Sequence, residues 1–119
     1  MKDLRNRVQL IGNLGMDPEI KSFDNDRKLA KFSVATSQSY LNNKGERVKD
    51  TQWHNIVAWG KLAEITEKFL KKGTEVALEG KLVHRQYEKE GETKYITEIV
   101  LSDFHKISKK EVEATAKQD

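Results

Sequence analysis

The 119-residue chain predicts an all-β fold with one helix: five strands closed into a small barrel, with the helix between the third and fourth strands. Three observations carry this. Alternation of apolar and polar residues, the mark of a strand, recurs in five runs. One segment, 61–72, has helical spacing instead. Gly12 and Gly80 stand inside strand-like runs, where barrel strands bend sharply and a flat sheet would be weakened.

The first strand, Arg7 to Leu14, alternates around Val8 and Leu10, then passes Gly15 into the turn signal Asp17-Pro18. The second, Lys28 to Ser39, sets Ala30, Phe32, Val34 and Thr36 on one side and Lys31, Ser33, Ala35 and Ser37 on the other. The cluster Asn42-Asn43-Lys44-Gly45-Glu46 predicts a turn, so the second and third strands form a hairpin with a long loop. The third strand is Gln52 to Trp59. Lys61 to Lys72 then places Leu62, Ile65 and Phe69 on one helix face, with Glu64–Lys68 and Glu67–Lys71 as pairs four apart. Gly73 sits where a left-handed cap belongs. The fourth strand, Thr74 to Tyr87, turns Val76, Leu78, Gly80 and Leu82 to the core. A charged tip, Glu88 to Glu92, leads to the fifth strand, Lys94 to Leu101. This order fits a Greek-key barrel of the oligonucleotide/oligosaccharide-binding type, the OB-fold.

One domain is expected over residues 1–104, followed by a short charged tail, 105–119, in which apolar residues are isolated and disorder is expected. The chain has no cysteine, which removes disulfides and thiolate chemistry. No signal peptide is evident, and no run approaches the roughly 20 apolar residues of a membrane span. A cytoplasmic protein without a membrane partner is therefore expected. Lys plus Arg is 22 against 19 for Asp plus Glu, a net charge of +3. That suits a polyanionic partner but does not by itself imply one.

Catalysis is not expected. His54, His84 and His105 are far apart, and no cluster shows zinc-ligand spacing. Gly12-Asn13-Leu14-Gly15 lacks the Gly-Lys-Ser/Thr ending of a phosphate loop. Neither a metal nor a cofactor is implied. His54 and His84 share the parity of the core faces and are expected to be buried or at an interface.

The segment Thr51 to Glu64 holds both tryptophans. As a strand it puts Trp53, Asn55, Val57 and Trp59 on one face and His54, Ile56 and Ala58 on the other. The second face can fill a core alone. Six residues at a rise of about 3.3 Å set the indoles roughly 20 Å apart, too far to stack on each other but suited to bases along an extended strand. The competing use of both indoles is core filling. The fourth strand repeats the pattern with Lys81, Val83, Arg85 and Tyr87 facing outward. Tyr40, Trp53, Trp59 and Tyr87 thus lie on or beside the central strands, interleaved with Lys and Arg. Rings can stack on any base, and cations can neutralise a phosphate backbone.

The sequence resembles the bacterial single-stranded DNA-binding protein family. The resemblance is carried by Arg7-Val8-Gln9-Leu10-Ile11-Gly12-Asn13-Leu14-Gly15 with Asp17-Pro18-Glu19, by Ala35-Thr36-Ser37, and by Thr51-Gln52-Trp53-His54. Trp59-Gly60-Lys61-Leu62-Ala63-Glu64, Leu70-Lys71-Lys72-Gly73 and Glu79-Gly80-Lys81-Leu82 continue it in order. It implies the same barrel and a nucleoid-associated homotetramer, with a dimer as the alternative. It also implies sequence-tolerant binding of single-stranded DNA in replication, recombination and repair. Trp53 matches a stacking tryptophan of the family. Trp59 falls where phenylalanine is common, and Tyr40 and Tyr87 where tryptophan is common. Lys61, Lys72 and Arg85 match phosphate-facing cations, with Lys31 and Lys81 as neighbours on the outward faces. Asn55 replaces a common cation, and His54 matches a histidine at the subunit interface.

Members of the family continue into a Gly-, Pro- and Gln-rich linker and an acidic tip ending in Phe. This chain stops at Ala116-Lys117-Gln118-Asp119, so poor recruitment of replication and repair proteins is expected. Two other classes remain open at this point. One is a primosome-type accessory protein, dimeric and chiefly a protein-interaction module. The other is a small barrel enzyme or metal-binding protein.

Overall fold

The computed structural model describes residues 4–24 and 27–107. Six strands and one helix follow in order: β1 (Val8–Leu14), β2 (Glu19–Phe23), β3 (Arg27–Leu41), β4 (Arg47–Trp59), α1 (Lys61–Phe69), β5 (Glu75–Lys89) and β6 (Glu92–Ile107). Because β1 pairs with both β5 and β3, strands β1, β5, β6, β4 and β3 close into a five-stranded barrel. Its ladders are antiparallel except for a short parallel contact between β4 and β6, Asn55–Glu98 to Val57–Val100. The predicted OB-fold is therefore the observed one.

The additional strand, β2, lies outside the closed barrel and extends the edge of β3, from Glu19–Lys31 to Phe23–Arg27. The β3–β4 loop is shorter than the sequence suggests. The Asn42 side chain accepts the backbone N–H groups of Lys44 and Glu46, both at 2.9 Å. That local turn satisfies the loop by itself, so β4 begins at Arg47 rather than Gln52. Between β5 and β6, Glu90 and Gly91 have φ of 54° and 78° and make a two-residue turn whose twist suits a hairpin. β6 continues to Ile107, its end pairing with Glu75–Ala77 of β5. Residues 105–107, assigned to the tail from sequence, are thus strand. The rest of the expected tail, and with it the recruiting role it was expected to lack, lies outside the described residues.

The core holds Leu14, Ala30, Phe32, Val34, Ile56, Ala58, Val76, Leu78, Ile99 and Leu101. These include Ile56, Ala58, Val76 and Leu78 from the inward positions predicted for β4 and β5, whereas His54 is only half-buried. Gly12 and Gly80 allow the barrel to close tightly: a Cβ on either would collide with the carbonyl oxygen of Ala35 or Val100. Beyond Gly80, β5 leaves the barrel, so Leu82 and His84 become exposed despite their inward parity.

The helix plugs the barrel with a face rotated from the predicted one. Ala63, Thr66 and Leu70 are buried, whereas Phe69 is 51% exposed. Small side chains at 63 and 66 let the helix backbone approach the barrel end, where a row of Leu, Ile and Phe would hold it off. The helix also ends at Phe69, because Leu70 is already extended (φ −109°, ψ 139°). Lys28 of β3 holds the helix through Glu67 at 2.9 Å. That hydrogen bond and charge raise the Lys28 pKa above 10.5. The pair's contribution is present below pH 10.5 and is lost as pH rises through the folded value.

Thr66 Oγ1 is buried and has no hydrogen-bond partner among the described residues. An unsatisfied buried hydroxyl costs about 1–3 kcal/mol. Thr66→Val keeps the shape and removes that atom, so chemical denaturation should show a gain of about 1 kcal/mol. A loss of the same size would mean that the hydroxyl is bonded in solution.

Candidate nucleic-acid interface

The β3–β4 ladder runs without a register shift from Leu29–Trp59 to Leu41–Arg47. Alternation along it turns Trp53, Asn55, Val57 and Trp59 outward, beside Ala35, Ser33, Lys31 and Leu29. The parallel contact extends this face to Glu98 and Val100 of β6, and their partners Val83 and Lys81 of β5 complete it. Both indoles are exposed, Trp53 by 62% and Trp59 by 42%. Core filling is therefore not their role. Of the four outward β4 residues Val57 is buried, covered between Lys31 and Val100.

Each indole has a defined bed. Trp53 lies against the backbone of Gly15, where a Cβ would collide with the six-membered ring; Ser33 Oγ lines the same spot. The N–H of Gly15 donates to the Ser33 carbonyl at 3.0 Å, which fixes that turn beneath the indole. Trp59 lies against Phe23 and Arg27 of the β2–β3 edge. Between the two runs a shallow groove floored by Lys31, Ser33, Asn55, Ile96 and Glu98.

Arg85 reaches into this region. Its Nε and Nη2 donate to the two oxygens of Glu98 at 2.7 and 3.2 Å. The Glu98 side chain is only 7% exposed and that of Arg85 45%. Glu98, through its hydrogen bond and charge, raises the Arg85 pKa further above its ordinary value, so the cation is permanent. Arg85 is thus a tethered cation with one buried partner.

The other expected site residues divide by position. Tyr87 shares the face of Arg85 and is exposed on the β5–β6 arm. Tyr40 pairs with Val48 and has the parity of Phe32 and Val34. It emerges from the opposite face of the β3–β4 arm, so the structure does not bring it together with Trp53. Lys61, Lys72 and Lys81 are exposed, at the start of the helix, after its end and on β5; Lys31 is half-buried opposite Glu19. The Lys72 backbone N–H donates to Asp17 at 2.8 Å, which positions this lysine near the β1–β2 turn. His54 is half-buried with Nε2 3.0 Å from Thr36 Oγ1, and His84 is exposed with Nδ1 2.8 Å from Thr97 Oγ1. Sequence reasoning missed Gly15, Phe23, Arg27 and Glu98. Among the described residues no three His, Asp or Glu side chains gather as a metal site, and no helix is long and apolar enough to cross a membrane.

The sequence profile of the Single-strand binding protein family matches residues 5–107. The chain belongs to that family. Its relatives within the single-strand binding family include Single-stranded DNA-binding protein 1 of Chlorobaculum tepidum, 43% identical over 108 residues. That match covers 89% of this chain and 67% of the relative. The Single-stranded DNA-binding protein of Neisseria meningitidis serogroup A is 44% identical, over 83% of this chain and 58% of its own length. The chain thus spans about three fifths to two thirds of these single-strand binding relatives. Among solved structures, a Plasmodium falciparum SSB complex with ssDNA has a TM-score of 0.81 and 32% identity, covering 91% of this chain and 99% of that one. A deletion mutant of the single-stranded DNA binding protein from Thermus aquaticus has a TM-score of 0.77 and 25% identity, over 87% and 51%.

In this single-strand binding domain the bed of Trp53 can be tested directly. Gly15→Ala should force the indole to turn while leaving the barrel intact. With Trp59 replaced by Phe to isolate one emitter, near-ultraviolet circular dichroism and acrylamide quenching of Trp53 should change, and the far-ultraviolet spectrum should not. Unchanged quenching would show that the indole is not held by Gly15.

Proposed function

We propose that this chain binds single-stranded DNA with little sequence preference and protects it during replication, recombination and repair. It does so by binding rather than by catalysis. The observation that carries this is the pair of exposed indoles at the two ends of one groove, on a domain of the single-strand binding family. Trp53, Trp59 and Tyr87 offer stacking surfaces on one face, and stacking accepts every base. Tyr40 would stack where the strand passes round the β3–β4 arm. Lys61, Lys72, Lys81 and Lys31 take phosphates. Arg85 joins them, since two of its five donors are engaged by Glu98. The solved complex of the Plasmodium falciparum relative with ssDNA supports the same reading.

Poly-dT should quench the tryptophan fluorescence. Trp53→Ala and Trp59→Ala should each lose about 1–3 kcal/mol of affinity. Binding should weaken with salt at a log–log slope of roughly −0.7 per phosphate neutralised. Dependence on base sequence, or alanine variants that bind as the wild type does, would overturn the stacking assignment.

Self-association completes the proposal. On the outer face of β1 and β5, Ile11 is 63% exposed and lies beside Ala77, with His105 on the next strand. A small barrel with an apolar patch there is suited to a homotetramer. His54 joins the proposal as a residue beside a subunit contact. Sedimentation equilibrium should give four chains; a dimer would favour the accessory-protein reading, and a concentration-independent monomer would exclude assembly.

A further inference from the structure

Phe23, at the end of β2, and Arg27, at the start of β3, are opposite each other in the β2–β3 ladder, so they lie side by side on one face. Two residues along β3, Leu29 pairs with Trp59, so that face is continuous with the outward face of β4. Both side chains turn onto Trp59. The Phe23 and Trp59 rings are 6.3 Å apart at an angle of 27°, and the Arg27 guanidinium carbon is 5.4 Å from the indole centroid.

Neither side chain is needed to fill the core. Phe23 is 47% exposed, and Arg27 is exposed outright. A half-exposed phenylalanine stacked on a half-exposed tryptophan leaves a joint aromatic surface open to water. A permanently charged guanidinium lies at that surface, with Lys21 on the same face of β2. Rings offer a stacking surface to a base, and adjacent cations suit the phosphate joined to it.

We propose that Phe23, Trp59 and Arg27 form one nucleotide-binding unit, which carries the DNA-binding groove past the closed barrel onto β2. The base stacks on the Phe23–Trp59 surface. Arg27 exchanges its contact with the indole for the phosphate of the same nucleotide. The guanidinium is thus kept close to its ligand's position before DNA arrives, where a freely rotating side chain would have to be ordered on binding. This unit rests on the proposed single-stranded DNA binding, and it differs from that reading in assigning two further residues and a further strand to the site.

The test uses fluorescein-labelled dT oligomers and fluorescence anisotropy. The proteins are the wild type, Phe23→Leu, Phe23→Tyr and Arg27→Gln, each checked for an unchanged melting temperature. Phe23→Leu, which keeps apolar cover over the indole but removes the ring, should weaken binding about 5- to 100-fold. Phe23→Tyr should restore it. Arg27→Gln should make the log–log salt slope shallower by about 0.7, one phosphate contact. If the wild type itself fails to bind, the proposed function fails. If the wild type binds and Phe23→Leu matches it, Phe23 is a cover for Trp59 and the nucleotide unit is overturned. An unchanged slope for Arg27→Gln overturns the phosphate exchange.

Discussion

The ladder between β3 and β4 has no bulge along its whole length, from Leu29–Trp59 to Leu41–Arg47. In a strand the side chains change face at every residue, so a slip of one position would turn both indoles into the core and Ile56 and Ala58 into water. The slip is opposed from both strands at once. Ala30, Phe32 and Val34 on β3 and Ile56 and Ala58 on β4 are buried together. The apolar residues that hold the barrel therefore also decide which way the aromatic residues point. Packing and site geometry are here one constraint.

Closure of the barrel adds the second element of the arrangement. The strands approach most closely at Gly12 and Gly80, and β6 carries an irregularity opposite Glu79 and Gly80. From that region β5 and β6 leave the barrel as a paired arm, and the ends of β3 and β4 do the same. Residues on the arms keep the alternation of a strand but have no core to cover. This explains why Leu82 and His84 are exposed although they continue an inward row. It also explains why tyrosines on the arms, Tyr40, Tyr87 and Tyr95, are exposed on whichever face they occupy.

Much of this arrangement is legible in the sequence. The outward row Trp53, Asn55, Val57, Trp59 follows from period two and from the apolar sufficiency of the other row. What escapes depends on contacts distant in sequence. Glu98 and Arg85 are thirteen residues apart and meet only through the hairpin register. β2 has five residues and a single half-buried side chain, Ile20, so it shows almost no alternation and owes its existence to the edge of β3. Hydrophobicity favours Leu62, Ile65 and Phe69 as the buried face of the helix, but the barrel end selects instead for small side chains at 63 and 66. Residue type groups Tyr40 with the tryptophans, although its even number places it with Phe32 and Val34.

Glu98 gives the groove a polarity of its own. The Glu98 carboxylate at the floor is matched by Arg85 at its side and shares the groove with Lys31, so the middle of the groove carries a fixed charge pair rather than bare negative charge. The pair orients the guanidinium: with Nε and Nη2 turned to Glu98, the remaining N–H donors of Arg85 have a set direction. A neutral residue at position 98 would leave that cation charged but untethered, and its donors would no longer point one way.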